Sequence, residues 1–445
     1  MVRTPEESTE AAHTVGDHLE GMGGSPDEVF GKSADGWIEV DGGDRLPGAS
    51  GESPTVRGPM TRSVAMIGTG HIAAEHLAGL TALNRAAGEE RLRLTSVVDA
   101  VPGRASEWVD RHFPDPAGPR PAVVDRYEEL LDGPHRPDIV SVLVPHHLHL
   151  DVARPFLEAG VAIQMQKPLG LAVADATQIA DLAERTGTPL VVSEPSVLGR
   201  RTQLILDWLG SGRQIGEPVF MIDQAVIDLG GGFFVTPWRH LKGMAGAGWF
   251  IDHGVHRTHW MLEAFGPCES VFAQTRQIEQ SRQDDRWGRV EVDTEDLAAA
   301  VLRFASGTIV QWTVMSGGRG ASHNFVSIWG TRGSYHDGSV TLSGQDEPLE
   351  PEINLDAVPA RIPDDPFAHS FLELLDLIDG ETTHAVGHPR RALEAEAIVY
   401  AALESALTGE TVRVADVLTG QANQYETTVW EARRRIESLD MTSLT

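Results

Sequence analysis

Ser63-Val64-Ala65-Met66-Ile67-Gly68-Thr69-Gly70-His71-Ile72-Ala73 decides the fold. The first five residues form a short apolar run suited to a buried strand, and Ala73 to Leu80 continues with helical spacing. Between them lies Gly68-x-Gly70-x-x-Ala73, a glycine turn between strand and helix. The first glycine permits the tight turn, and the second lets backbone amides approach a pyrophosphate at the helix N-terminus.

Strands alternate with helices outward from this point. Leu94 to Val98 is a strand ending in Asp99, followed by a helix from about Gly103 to His112. Asp138 to Val144 is a buried strand, and the helix after it ends at Gly160 with Pro155 inside. Val161-Ala162-Ile163 leads into Gln166-Lys167-Pro168, then a helix from about Val173 to Arg185 and a strand Pro189 to Val192. This alternation predicts a doubly wound parallel sheet, an α/β Rossmann domain over residues 61–195. After about Glu194 the pattern changes. A hairpin of Leu297–Phe304 and Ile309–Met315, the strand Phe325 to Trp329, and helices Phe371 to Ile378 and Arg391 to Leu407 predict an α+β domain over residues 196–445. Its sheet is expected to be open-faced and mostly antiparallel.

Residues 1–60 carry twelve Asp/Glu against four Lys/Arg, with many Gly, Ser and Pro, and are expected to form a disordered acidic tail. The formal net charge of −29 argues against nucleic acid and anionic membranes as partners. Cys268 is the only cysteine, which excludes an intrachain disulfide. No basic n-region followed by an apolar h-region and no bilayer-length apolar run is present, so a cytoplasmic location is expected.

Several residues are candidates for chemistry. Only Lys32, Lys167 and Lys242 are lysines among 36 basic residues, and Lys167 ends a strand at the edge where open α/β sheets bind ligands. Asp99 is placed to accept from ribose hydroxyls and opposes a 2′-phosphate, which favours NAD, while nearby Arg104 keeps NADP open. Asp252-His253-Gly254-Val255-His256 reads as a helix start with Asp252 and His256 on one face, a carboxylate orienting an imidazole base. Spacings among His253, His256 and His259 invite zinc, but no remaining ligands are evident and no metal is expected. His146, His147 and His149 follow Pro145 at another strand end; His146 and His147 read as exposed loop residues. Trp238-Arg239-His240, with Lys242, is either a substrate wall or an exposed basic loop.

In order along Val64 to Val414, the chain resembles the Gfo/Idh/MocA oxidoreductases, named for glucose-fructose oxidoreductase and inositol dehydrogenase. The resemblance rests on Val64-x-x-Ile67-Gly68-x-Gly70, Pro145-x-x-x-His149, Gln166-Lys167-Pro168 and Gly248-x-x-x-Asp252-x-Gly254-x-His256. Gly330-Thr331-Arg332-Gly333 and Ser405-Ala406-Leu407-Thr408-Gly409 also fit. It implies a Rossmann domain before an open-faced sheet, with dimers or tetramers formed through the sheet's outer face. It also implies hydride transfer between nicotinamide and a hydroxyl carbon of a sugar, inositol or related polyol. Lys167 is then expected to bind the reacting hydroxyl, His256 to take its proton and Asp252 to orient His256. Cofactor contacts are carried to Gly68, Thr69, Gly70, His71, Ile72, Asp99, Pro145, His149, Gln166 and Lys167. Substrate contacts are carried to Lys167, Trp238, Arg239, His240, Asp252 and His256. The Lys167–Pro168 peptide is expected to be cis. Gln166 stands where the family has glutamate, removing a negative charge beside Lys167. A redox-neutral NAD-dependent glycosidase and a nucleotide-sensing regulator are the alternative functions.

Overall fold

The computed structural model describes residues 60–336 and 338–437. The expected acidic tail lies outside the described residues apart from Met60.

β1 (Arg62–Ile67), β2 (Leu92–Val98), β3 (Ala122–Val124), β4 (Ile139–Val142), β5 (Ala162–Gln166) and β6 (Leu190–Ser193) form one sheet. All its pairings are parallel and its order is β3-β2-β1-β4-β5-β6. Val64, Ala65, Met66, Ile139 and Val140 are fully buried, as strands covered on both faces require. The order reverses between β1 and β4, which opens a crevice at the strands' carboxyl ends.

The second sheet contains β7 (Pro218–Val226), β8 (Cys268–Arg276), β11 (Leu297–Phe304), β12 (Ile309–Met315) and β13 (His323–Gly330). It is completed by β14 (Gly333–His336), β15 (Ser339–Leu342) and β16 (Val412–Arg413). Among the described residues its order is β15-β14-β13-β7-β12-β11-β8-β16, with β7 and β12 parallel and the other pairings antiparallel. β9 (Ser281–Asp284) and β10 (Gly288–Glu291) make a separate ribbon. The hairpin predicted at Leu297–Phe304 and Ile309–Met315 is β11–β12. Alternate residues such as Ala298, Leu302, Val310 and Trp312 turn inward, where the sheet is backed by the helices Gly254–Phe265 and Pro389–Thr408. The opposite face leaves Phe272, Val301, Ile309 and Trp329 exposed.

The helix Pro366–Asp379 lies between β15 and β16 of the second sheet in sequence, yet it packs on the first. Its Phe371, Leu374 and Leu375 share one core with Val64, Met66, Leu80 and Val191. Burying a side chain such as Phe371 contributes roughly 1.5–3 kcal/mol. Gly79 permits this contact: a Cβ there would lie 2.4 Å from the Phe367 side chain.

Candidate active site

The glycine loop is built as its sequence requires. Gly68 has φ +100°, and a Cβ on it would sit 2.6 Å from the Leu143 carbonyl oxygen at the end of β4. Gly70 is exposed, and a Cβ there would meet nothing within 4 Å, so the loop faces open space. The helix Ala73–Ala87 starts after Ile72 with no side-chain cap. Ala73 N–H and Glu75 N–H donate to the Gly70 and Ile72 carbonyl oxygens at 3.2 and 3.1 Å, and the exposed Gly70 and His71 lie just ahead of them, at the end of the helix that favours an anion. Thr69 N–H and Oγ1 both donate to Asp99 Oδ2 at 2.8 Å, while Val101 N–H donates to Oδ1 at 2.9 Å. Asp99 thus ties the loop to the end of β2, with the Arg104 guanidinium 3.6 Å from its Oδ1.

Lys167 follows β5 through a cis peptide to Pro168. Its Nζ donates to the Asp252 carbonyl oxygen at 2.6 Å and to Asp252 Oδ1 at 3.0 Å. Arg239 Nε lies 3.3 Å from Asp252 Oδ2. Burial would raise the Asp252 pKa, but Lys167 and then Arg239 outweigh it and hold the carboxyl well below the usual range. Two cations therefore share one carboxylate.

The expected pairing of Asp252 with His256 does not form, and the local backbone explains why. The helix Trp249–Asp252 stops, His253 intervenes, and a second helix runs Gly254–Phe265. Lys167 takes the Asp252 carbonyl, and His256 N–H donates to His253 O at 3.2 Å instead. The two side chains accordingly diverge. His256 Nδ1 meets Glu194 Oε1 in a short contact. A carboxylate only accepts, so Nδ1 carries the hydrogen and Nε2 of the neutral ring is left as a base. For Glu194, burial is again the largest influence and raises the pKa, but its interactions with His256, then His259 and Lys167, bring it down to about 2. Ser193 is the register partner of Gln166, so Glu194, just after β6, stands beside Lys167, just after β5. That adjacency was the available sequence signal for Glu194, a second charged residue followed by proline at the same sheet edge.

The remaining candidates divide. Trp238 is buried edge-on to His146, with ring centroids 4.8 Å apart, and the Arg239 guanidinium lies 4.5 Å from the Trp238 ring centroid. His240 is buried and its Nε2 accepts from Phe234 N–H at 2.8 Å, which makes it a brace for this segment. Lys242 points elsewhere, over the Tyr425 ring. His149, expected to face the cofactor, is sealed beneath the site between the carbonyl oxygens of Val144 (2.9 Å) and Leu169 (3.4 Å). Pro145 precedes a short helical turn, His146–Leu148. His146 is not an exposed loop residue: it is 3% exposed, because Ala245 and Met244 of the second domain pack over this turn and accept from His146 and His147.

Gln166 Oε1 accepts from Lys167 N–H at 2.7 Å, and its Nε2 lies 3.4 Å from Nε2 of the buried His76. Burial lowers the His76 pKa to about 4, so the ring is neutral. Its Nδ1 meets Gln164 Oε1 at 2.8 Å, leaving Nε2 to accept from the Gln166 amide. A glutamate at this position would set a carboxylate against that lone pair.

Sequence comparison agrees with this architecture. Residues 62–194 match the GFO_IDH_MocA model, described as an oxidoreductase family with an NAD-binding Rossmann fold. Residues 213–336 match the GFO/IDH/MocA C-terminal domain. The chain belongs to the Gfo/Idh/MocA oxidoreductase family. As a member, it is similar to an uncharacterized protein of Saccharomyces cerevisiae, 23% identical over 52% of this chain and 62% of that protein. An uncharacterized oxidoreductase of Synechocystis sp. is 25% identical over 48% of this chain and 58% of its own length. The match thus spans less than two thirds of either relative. Among solved structures, an oxidoreductase from Thermotoga maritima is 23% identical with a TM-score of 0.64, covering 80% of this chain and 100% of its own. A levoglucosan dehydrogenase in complex with NADH and levoglucosan is 19% identical with a TM-score of 0.67, over 80% and 100% of the two chains. Both likenesses are of fold.

The family cofactor is NAD, and the residues present fit it. The open side of Gly70 and the uncapped helix start suit the pyrophosphate, and Asp99 opposes a 2′-phosphate. Among the described residues no helix is long and apolar enough to cross a membrane.

Proposed function

We propose that the protein is an NAD-dependent dehydrogenase acting on a hydroxyl carbon of a sugar, inositol or related polyol. The observation that carries this reading is a base and an ammonium at one sheet edge: His256 oriented by Glu194, and Lys167 held by Asp252. His256 Nε2 accepts the proton of the reacting hydroxyl, and Glu194 stabilises the imidazolium that results. Lys167, whose third hydrogen has no partner among the described residues, donates to the substrate oxygen as negative charge develops there. Arg239 keeps Asp252 charged so that Lys167 stays in place. NAD supplies the hydride acceptor when bound.

The test mixes the protein and NAD with sugars, inositols, levoglucosan and aryl glycosides, reading NADH and released aglycone together. NADH accumulating with a sugar or polyol supports the dehydrogenase. Aglycone release without net NADH refutes it in favour of the redox-neutral glycosidase, and nucleotide binding with neither product favours a sensor. We further propose a cytoplasmic homo-oligomer formed through the exposed apolar face of the second sheet, where Phe272 and Val301 are register partners. Light scattering on Val301→Glu should then report a smaller particle than the wild type.

A further inference from the structure

The mechanism above leaves one buried group at its centre unused. His146 Nδ1 lies 3.0 Å from the Ala245 carbonyl oxygen. A peptide oxygen only accepts, so Nδ1 must carry the hydrogen. Burial, the largest influence, keeps this ring neutral, which leaves Nε2 a bare acceptor. Among the described residues nothing donates to it. It faces Asp252 Oδ1 at 3.9 Å, so two acceptors confront each other with no hydrogen between them. Trp238 packs edge-on against the ring and prevents it from turning away. The acceptor without a donor is aimed at the atom that also holds Lys167.

We propose that His146 is a substrate-contacting residue whose Nε2 accepts a hydrogen bond from a second hydroxyl, next to the one Lys167 engages. Lys167 Nζ and His146 Nε2 approach the same carboxylate oxygen, at 3.0 and 3.9 Å. Both nitrogens border one oxygen, so the hydroxyls they engage belong to one substrate molecule, and the substrate class is a diol rather than an isolated alcohol. This deepens the dehydrogenase reading and rests on it for the identity of the reacting hydroxyl, but the acceptor is fixed independently of turnover.

The experiment uses the full chain, labelled with ¹⁵N in its histidine rings and saturated with NADH. The His146 signals are assigned by their loss in His146→Asn. That variant keeps an amide N–H for the Ala245 carbonyl and removes the outward acceptor. The probes are levoglucosan, myo-inositol and glucose, each beside a derivative lacking one hydroxyl. The expected result is an unprotonated Nε2 resonance that moves upfield with at least one diol and stays fixed with its deoxy partner. His146→Asn should bind NADH as the wild type does. It should raise KM for the diol about 3- to 10-fold, and leave the deoxy compound unaffected. A shift without turnover of any probe supports the hydroxyl contact while refuting the dehydrogenase reading. Turnover with an unmoved Nε2 resonance, or no shift with any probe, overturns the proposal. So does a change confined to NADH affinity, which would assign His146 to the cofactor.

Discussion

Glu194→Gln should separate the orientation of His256 from its mere presence. The substitution keeps the size of a side chain that is 1% exposed but removes the charge facing His256. Two unit charges about 4 Å apart attract by about 4 kcal/mol at the effective dielectric of 20 that suits protein sites. That attraction is absent while the imidazole is neutral and is gained as it takes the substrate proton, so it acts on the barrier. Each 1.36 kcal/mol is tenfold in rate, and losing the whole term costs roughly 10³. The glutamine amide can also donate to Nδ1, favouring the tautomer whose Nε2 carries the hydrogen and cannot act as base. The expected fall in kcat is therefore about 10²–10⁴. NAD affinity, read by nucleotide fluorescence, should be unchanged, because Glu194 touches His256 and not the glycine loop. A variant within twofold of wild type would refute the carboxylate–imidazole pair as the base.

Three further outcomes can be checked by denaturation. Asp252→Asn leaves Lys167 and Arg239 without their shared carboxylate and should lower stability by about 3 kcal/mol in urea titration. Glu295, buried and accepting from Gly248 N–H at 2.8 Å, has its pKa raised by burial to about 7. Its folded pKa exceeds the unfolded 4.5, so its contribution is full below pH 4.5 and is lost as pH rises through about 7. Glu295→Gln should therefore gain about 2–3 kcal/mol relative to wild type between pH 5 and pH 8, and an equal difference at both pH values would refute the assignment. Gly79→Val forces a Cβ against Phe367 and should cost at least 1–3 kcal/mol, measured by thermal melting with circular dichroism.

The first sheet was legible because strands buried on both faces read as continuous apolar runs, and Gly68-Thr69-Gly70 marks where the chain must turn. The hairpin β11–β12 was legible from alternation around Ser306-Gly307. Reading Asp252 to His256 as one helix start misled, because the backbone breaks at His253. That break depends on an ammonium from a residue 85 positions earlier taking the Asp252 carbonyl, which no local window contains. His146 was misread for a similar reason: it is buried by Ala245, 99 residues away. The return of helix Pro366–Asp379 to the first sheet was equally hidden, since an apolar stripe says what a helix buries but not against which partner.

That returning helix also governs how the protein can be made. A ribosome finishes all six parallel strands about 190 residues into the chain, yet the β5–β6 part of one side stays bare until residue 379 has been synthesised. The nascent first half must wait with Ala162 and Val191 uncovered, a sticky intermediate of the type chaperones recognise. A fragment cut near residue 195 would keep every glycine and strand of the nucleotide site and still lack the helix that completes its core.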